Sequence, residues 1–269
     1  MHRTESRTER SLGNRDWLSV AFLLGAVLLA YYLLPLVSLV LAQPPATVVE
    51  RLLSPTVLAA IRTSLAGALA STAIATGFGV PLAYWLARTD GRLTTFVTAV
   101  VVLPLVLPPI VSGMVLLTLV GPNTLVGDLA AGAGLPLTRS LVGVVLAQTF
   151  VASPFVVITG RAAIEGVDHG LEHASRSLGK SRLTTVRRVT LPLAWPGILA
   201  GVTLTFTRSL GEFGATIMLA YYPRTMPVEI WVSFTTMGLD AAFPVAVVLV
   251  GVAVATLVAL NALGRGPMG

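Results

Sequence analysis

Residues 17–42 contain no charged side chain. A helix needs roughly 20 apolar residues to cross the hydrocarbon of a bilayer. There every backbone N–H and C=O must be satisfied inside the protein, which leaves a single apolar segment only the α-helix. Comparable runs occupy 57–87, 93–120, 139–159, 193–222 and 241–263. The chain therefore reads as an all-α membrane protein with six transmembrane helices: a first helix at 17–42, then five more in a core domain at 57–263. Only 11% of the residues are charged and mean hydropathy is +0.85, against about 25% charged in soluble domains. The segments between the runs leave no room for a separate soluble domain.

Residues 1–16 are polar and hold Arg3, Arg7, Arg10 and Arg15. A basic tail before an apolar run is also the layout of a signal peptide. This run is much longer than a signal peptide's apolar region, and no small-residue cleavage pattern follows it closely. It is read as an uncleaved first span behind a flexible cytoplasmic tail. Orientation follows from Lys and Arg, which concentrate in cytoplasmic loops. With the N-terminus inside, that side also holds Arg88, Arg92, Arg161, Arg176, Lys180, Arg182, Arg187, Arg188 and Arg265, while the outer side holds Arg51, Arg139 and Arg224. The tails 1–16 and 264–269 and the polar stretch 160–192 are then cytoplasmic parts of a multi-pass cell-membrane protein. The net charge of +6 and pI near 10.5 express this asymmetry rather than a nucleic-acid surface. With no cysteine, disulfides, thiolate metal sites and Cys nucleophiles are excluded.

Small residues mark close contacts between helices in lipid: Gly67, Ser71, Gly77 and Gly79 in the second run, and Gly197-x-x-x-Gly201 in the fifth. Pro104, Pro108 and Pro109 interrupt the third run. Each lacks an N–H donor and clashes with the preceding turn. Carbonyls freed at membrane depth must be met by protein or water. The run is either a broken helix facing protein or a cavity, with Pro108 a candidate for a translocation path, or a kinked packing helix. Segments 46–55, 121–138 and 227–240 read as external.

The stretch 160–192 is too polar for lipid and too patterned for a slack loop. Glu172 to Leu178 has helical character, Gly179 allows the left-handed turn that ends a helix, and Ser181 can cap the next helix. Pro192 marks entry to the fifth run. A helix–turn–helix at the membrane surface is a natural docking element.

At these residues the chain resembles the permease subunits of binding-protein-dependent ABC importers. Their signature is Glu-Ala-Ala, three residues, Gly, nine residues, Ile, one residue and Leu-Pro. Glu172-His173-Ala174, Gly179, Val189 and Leu191-Pro192 are read onto it, with His173 in place of Ala and Val189 in place of Ile. The resemblance implies the ABC importer permease fold, with a cytoplasmic coupling helix between transmembrane helices 4 and 5. It also implies the partners: two cytoplasmic ABC ATPase subunits, an extracytoplasmic solute-binding protein and a second copy of the permease around one pore, all in membrane lipid. Glu172, His173, Ala174, Gly179, Val189 and Pro192 become the ATPase-coupling residues, with Glu172 holding the docking helix through an ion pair to Arg176 or Arg182. The chain has no Gly-x-x-x-x-Gly-Lys-Ser/Thr phosphate loop, so hydrolysis belongs to another polypeptide. This one is a transport subunit without cofactor.

The resemblance runs from the second span to the sixth. Arg208-Ser-Leu-Gly211-Glu212-Phe213-Gly214-Ala215 is similar to the oxyanion branch, and the continuation through Arg224-Thr225-Met226-Pro227 looks more like the molybdate/tungstate permeases than those for sulfate. Arg208 and Glu212 stand four apart in a membrane run, where charge is costly and usually faces a partner or water. Two readings stand. The two form a self-neutralising structural pair or a tie between subunits; or Arg208, with Gly211 and Glu212, lines an anion path that Glu212 orients or gates. His169 and His173 share a helix face, but no third ligand has clear spacing, so no metal site is assigned. An ion-gradient-driven transporter or channel is the alternative class. It calls for more intramembrane ionisable groups than this one pair.

Overall fold

The computed structural model describes the backbone of residues 5–264, with side-chain surroundings for residues 17–258. Among the described residues the regular structure is entirely helical. The chain divides into two units, 1–49 and 50–269, described separately.

The first unit is dominated by α1 (Glu5–Leu41). Its 17–41 portion is long and apolar enough to cross a membrane, and Pro35 does not end it. From Glu5 on, the segment expected to be a slack tail is helical. Residues 1–4 and 265–269 lie outside the described residues. Helix α2 (Pro45–Leu53) begins in this unit and ends in the next, so most of the external segment expected at 46–55 is helical.

The second unit is built on three long helices: α3 (Pro55–Ala87), α7 (Leu141–Glu165) and α10 (Leu191–Leu210). Ser54 and Ser140 start the first two, each side-chain oxygen accepting a hydrogen bond from a first-turn N–H, that of Val57 and Gly143 respectively. The three pack through small residues. A Cβ on Gly79 would fall 2.9 Å from Val156 Cγ1, one on Gly197 2.5 Å from Ala163 Cβ, and one on Gly201 would collide with Thr159 Oγ1. The Gly197-x-x-x-Gly201 face thus lets α10 lie directly on α7. Around this seam gather Ala75, Ala83, Leu86, Val156, Ile164 and Ile198, all buried. Facing outward are Leu69, Phe78, Leu103, Leu204 and Leu257, among many other exposed apolar side chains, a surface suited to lipid.

The remaining elements are α4 (Arg92–Val106), α5 (Pro109–Val120), α6 (Leu125–Gly132), α8 (His169–Ser177), α9 (Arg182–Thr185), α11 (Gly214–Leu219), α12 (Met226–Met237) and α13 (Leu239–Gly264). A π-helical turn at Val186–Thr190 joins α9 to α10. The third run is broken: α4 and α5 meet at 118°. The break falls at Leu107 and Pro108, both in extended backbone, while Pro104 sits inside α4 without ending it. Among the described residues five helical segments are long and apolar enough to be spans, and six if the bent pair counts as one. One expectation fails. The fifth run does not continue to residue 222: α10 stops at Leu210, and after Gly211 and Glu212 the chain turns into the separate α11.

Candidate functional site

The polar loop closes on one carboxylate. Asp168 caps α8, its Oδ1 accepting from the Gly170 N–H at 2.7 Å. Gly179 ends the element with φ +77°, a conformation that suits glycine. Ser181 caps α9 by accepting from the Thr184 N–H at 3.2 Å, and Ser175 and Thr185 hydroxyls meet at 3.0 Å between α8 and α9. These contacts hold α8 across the ends of the membrane helices, with Glu172 on its inward face.

Glu172 is buried. Its carboxylate does not reach Arg176 or Arg182 as expected. It accepts from Arg88, the residue that ends α3: Nη2 to Oε1 at 2.9 Å, Nε to Oε2 at 3.2 Å and Nε to Oε1 at 3.3 Å. Thr190 Oγ1, in the π turn that leads into α10, donates to Oε1 at 2.6 Å. Arg88 Nη2 also donates to the Val167 carbonyl at 3.4 Å. Arg176, one turn along α8 on the same face, and Arg182 are exposed, while the buried carboxylate meets the end of α3. Burial alone would raise the Glu172 pKa, but the hydrogen bonds from Arg88 and Thr190 outweigh it and hold the carboxyl below its ordinary value of 4.5. One ionised carboxylate therefore joins α8 to α3 and α10.

The other residues read onto the signature fall around this joint. His173, Ala174 and Gly179 are exposed, Val189 is half-buried in the π turn, and Pro192 is exposed in the first turn of α10. Nine residues separate Gly179 from Val189 as the signature requires, but four rather than three separate Ala174 from Gly179. Glu172 thus stands one position ahead of the signature's glutamate. The outward side of the loop carries Leu171, Leu178 and Leu183, all exposed. Three exposed leucines on a polar loop are an apolar feature that sequence reading passed over. Arg88 and Thr190 were missed as well. Arg88 was counted for orientation and not as a site residue.

The second cluster sits midway along α3. Ser71 Oγ donates to Ser209 Oγ at 3.0 Å, and Ser71 lies midway along α3, about 24 Å from either end at about 1.5 Å per residue. Arg208 in the last turn of α10 pairs with Glu212, as the spacing suggested. Glu212, however, lies beyond the helix. It is 1% exposed, and its Oε1 accepts from the Ala215 N–H at 2.8 Å in the first turn of α11. Arg208 is partly exposed. The break at Gly211 lies beside the break at Pro108: a Cβ on Gly214 would fall 2.7 Å from Pro109 Cβ, and one on Gly113 would fall 2.9 Å from Ala215 Cα. The fold thus brings the broken ends of two spans together, with Pro108 exposed at the junction.

Residues 79–265 match the family of binding-protein-dependent transport system inner membrane components. The chain belongs to this family. It is 58% identical over 269 residues to a probable molybdenum ABC transporter permease protein of Haloferax volcanii, covering 99% of this chain and 98% of that one. It is 39% identical over 259 residues to the molybdenum transport system permease protein ModB of Mycobacterium tuberculosis, covering 94% and 95%. It is 34% identical over 253 residues to the molybdate/tungstate transport system permease protein WtpB of Pyrococcus abyssi, covering 93% and 97%. Among solved structures, a bacterial alginate ABC transporter in complex with an alginate pentasaccharide-bound periplasmic protein matches with a TM-score of 0.73 at 20% identity, over 94% of this chain and 95% of that one. An inward-facing MetNI methionine ABC transporter matches with a TM-score of 0.63 at 20% identity, over 78% and 94%. The ABC importer permease fold expected from the signature is the fold of this permease, a multi-pass membrane transport subunit.

Proposed function

We propose that this permease forms the membrane path of an ATP-driven importer of molybdate and tungstate. In this reading both termini and the loop around α8 face the cytoplasm, and two ATPase subunits dock there. An extracytoplasmic binding protein delivers the anion from the other side, and a second permease copy completes the pore. The names of the relatives in Haloferax, Mycobacterium and Pyrococcus support the cargo. The excess of Lys and Arg on the α8 side supports the orientation.

The observation that carries the mechanism is the Glu172 joint. ATP-driven closure of the motor must shift a pore between two states, and α8 is tied by one carboxylate to both α3 and α10. Motion of α8 is passed through Arg88 into α3 and through Thr190 into α10, whose far end carries Arg208 beside the two breaks. His173, Ala174 and Gly179 present and turn the docking helix; Val189 and Pro192 set the entry of α10. In the path, Arg208 offers guanidinium N–H donors to a passing oxyanion. Glu212 fixes that guanidinium from a buried position, and Gly211 and Pro108 supply the breaks that let the backbone move.

The test is uptake in proteoliposomes containing the permease, its ATPase and the binding protein. ATP-dependent accumulation of molybdate and tungstate, outcompeting sulfate, is expected. Uptake driven by a proton or sodium gradient without ATPase would refute the importer reading, and preference for sulfate would refute the cargo.

A further inference from the structure

We propose that the permease carries a second oxyanion site, on the polar loop rather than in the membrane. A crevice of about 240 Å³ lies between the end of α3, helix α8 and helix α9. At about 30 Å³ per water, it has room for a four-oxygen anion with its nearest waters. Tyr84 and Arg88 line it from α3, His173 and Arg176 from α8, and Arg182 from α9, beside Glu172.

The charge balance favours an anion. Glu172 is the only acid lining the crevice, and its oxygens are taken up by Arg88 and Thr190. Arg176 and Arg182 make no ion pair among the described residues. The Arg88 side chain is nine-tenths buried, yet its Nη1 has no acceptor among the described residues. A buried guanidinium nitrogen left without an acceptor is costly. Planar guanidinium forks match the oxygen spacing of tetrahedral oxyanions, which a halide cannot reproduce. Three separate elements contribute the cations, so the site is made by the tertiary fold rather than by a basic run. The ligand class is a doubly charged tetrahedral oxyanion: the cargo anion, or inorganic phosphate.

Isothermal titration of the full-length permease in nanodiscs tests this without ATP, ATPase or transport, so its outcome is independent of the importer reading. The Arg208→Gln background removes the membrane guanidinium from the measurement. Molybdate and phosphate are expected to bind, and chloride at equal ionic strength is not. Arg176→Gln with Arg182→Gln should weaken binding at least tenfold. Arg176→Lys with Arg182→Lys should restore part of it, because charge remains and the fork is lost. Whichever of molybdate and phosphate binds tighter identifies the source of the ligand. Absence of binding, or affinity unchanged in the double Gln variant, overturns the proposal. So does binding by the permease alone that vanishes in its complex with the ATPase, which would assign the crevice to an acidic side chain of that partner.

Discussion

Glu172→Ala and Arg88→Ala should damage the same contact from opposite ends, although the two residues lie on different elements. Each side chain is about one-tenth exposed. Removing one partner of a fully buried ion pair costs about 3–5 kcal/mol, whereas an exposed pair is worth about 0–1 kcal/mol. The pair is neither fully buried nor exposed, so we place the cost of either substitution between these limits, at about 1–3 kcal/mol. Glu172→Ala falls at the upper end, because it also removes the acceptor of Thr190 and leaves Arg88 buried without a carboxylate. If α8 must be seated to dock, the same free energy appears as weaker ATPase binding, at about tenfold per 1.4 kcal/mol. The assay is the dissociation constant of the detergent-purified permease for its ATPase, measured for wild type, both single variants and the double variant. The single variants should weaken binding by about fivefold to more than a hundredfold. The double variant should be much less than additive, since the second substitution removes a contact already lost. An Arg88→Ala permease that binds its ATPase as wild type does, while Glu172→Ala does not, would refute the joint and place Glu172 directly on the partner.

Three further outcomes follow from the same contacts. The Glu172 carboxyl has a folded pKa below its ordinary value of 4.5, so its stabilisation is complete above that value and is lost as pH falls through the folded pKa; the protection of the α8 amides, each exchange rate taken relative to its intrinsic rate at that pH, should hold steady from neutral pH down to about 5 and fall only in stronger acid, with Glu172→Gln lacking this step. Gly201→Ala should cost about 1–3 kcal/mol through overpacking, read as a lower melting temperature in detergent, and Thr159→Ala should restore part of it by removing the hydroxyl that the new methyl would strike. Glu212→Ala should destabilise the fold more than Glu212→Gln, because the amide can still accept from the Ala215 N–H; equal melting temperatures would show that this cap contributes nothing.

Much of this permease was written locally and could be read without coordinates. Apolar runs count residues against bilayer thickness, so the spans at 17–42, 57–87 and 241–263 could be placed closely. Gly179 and Ser181 act through their own backbone and side chain, so the turn and cap between α8 and α9 were legible too. The Gly197-x-x-x-Gly201 spacing marked a close helix contact because the two glycines share a face. Hydropathy, however, measures composition and not backbone direction. It carried the fifth run through Gly211 to residue 222, although the helix ends at Leu210. It left the third run open between a kink and a break, and could not show that the break at Pro108 rests on the one at Gly211. The partner of Glu172 was decided by tertiary structure alone. Arg176 and Arg182 were nearer along the chain, but both stay exposed. A carboxylate on the inward face pairs with whatever cation packing brings beside it, and the end of α3 brings Arg88 from 84 positions away.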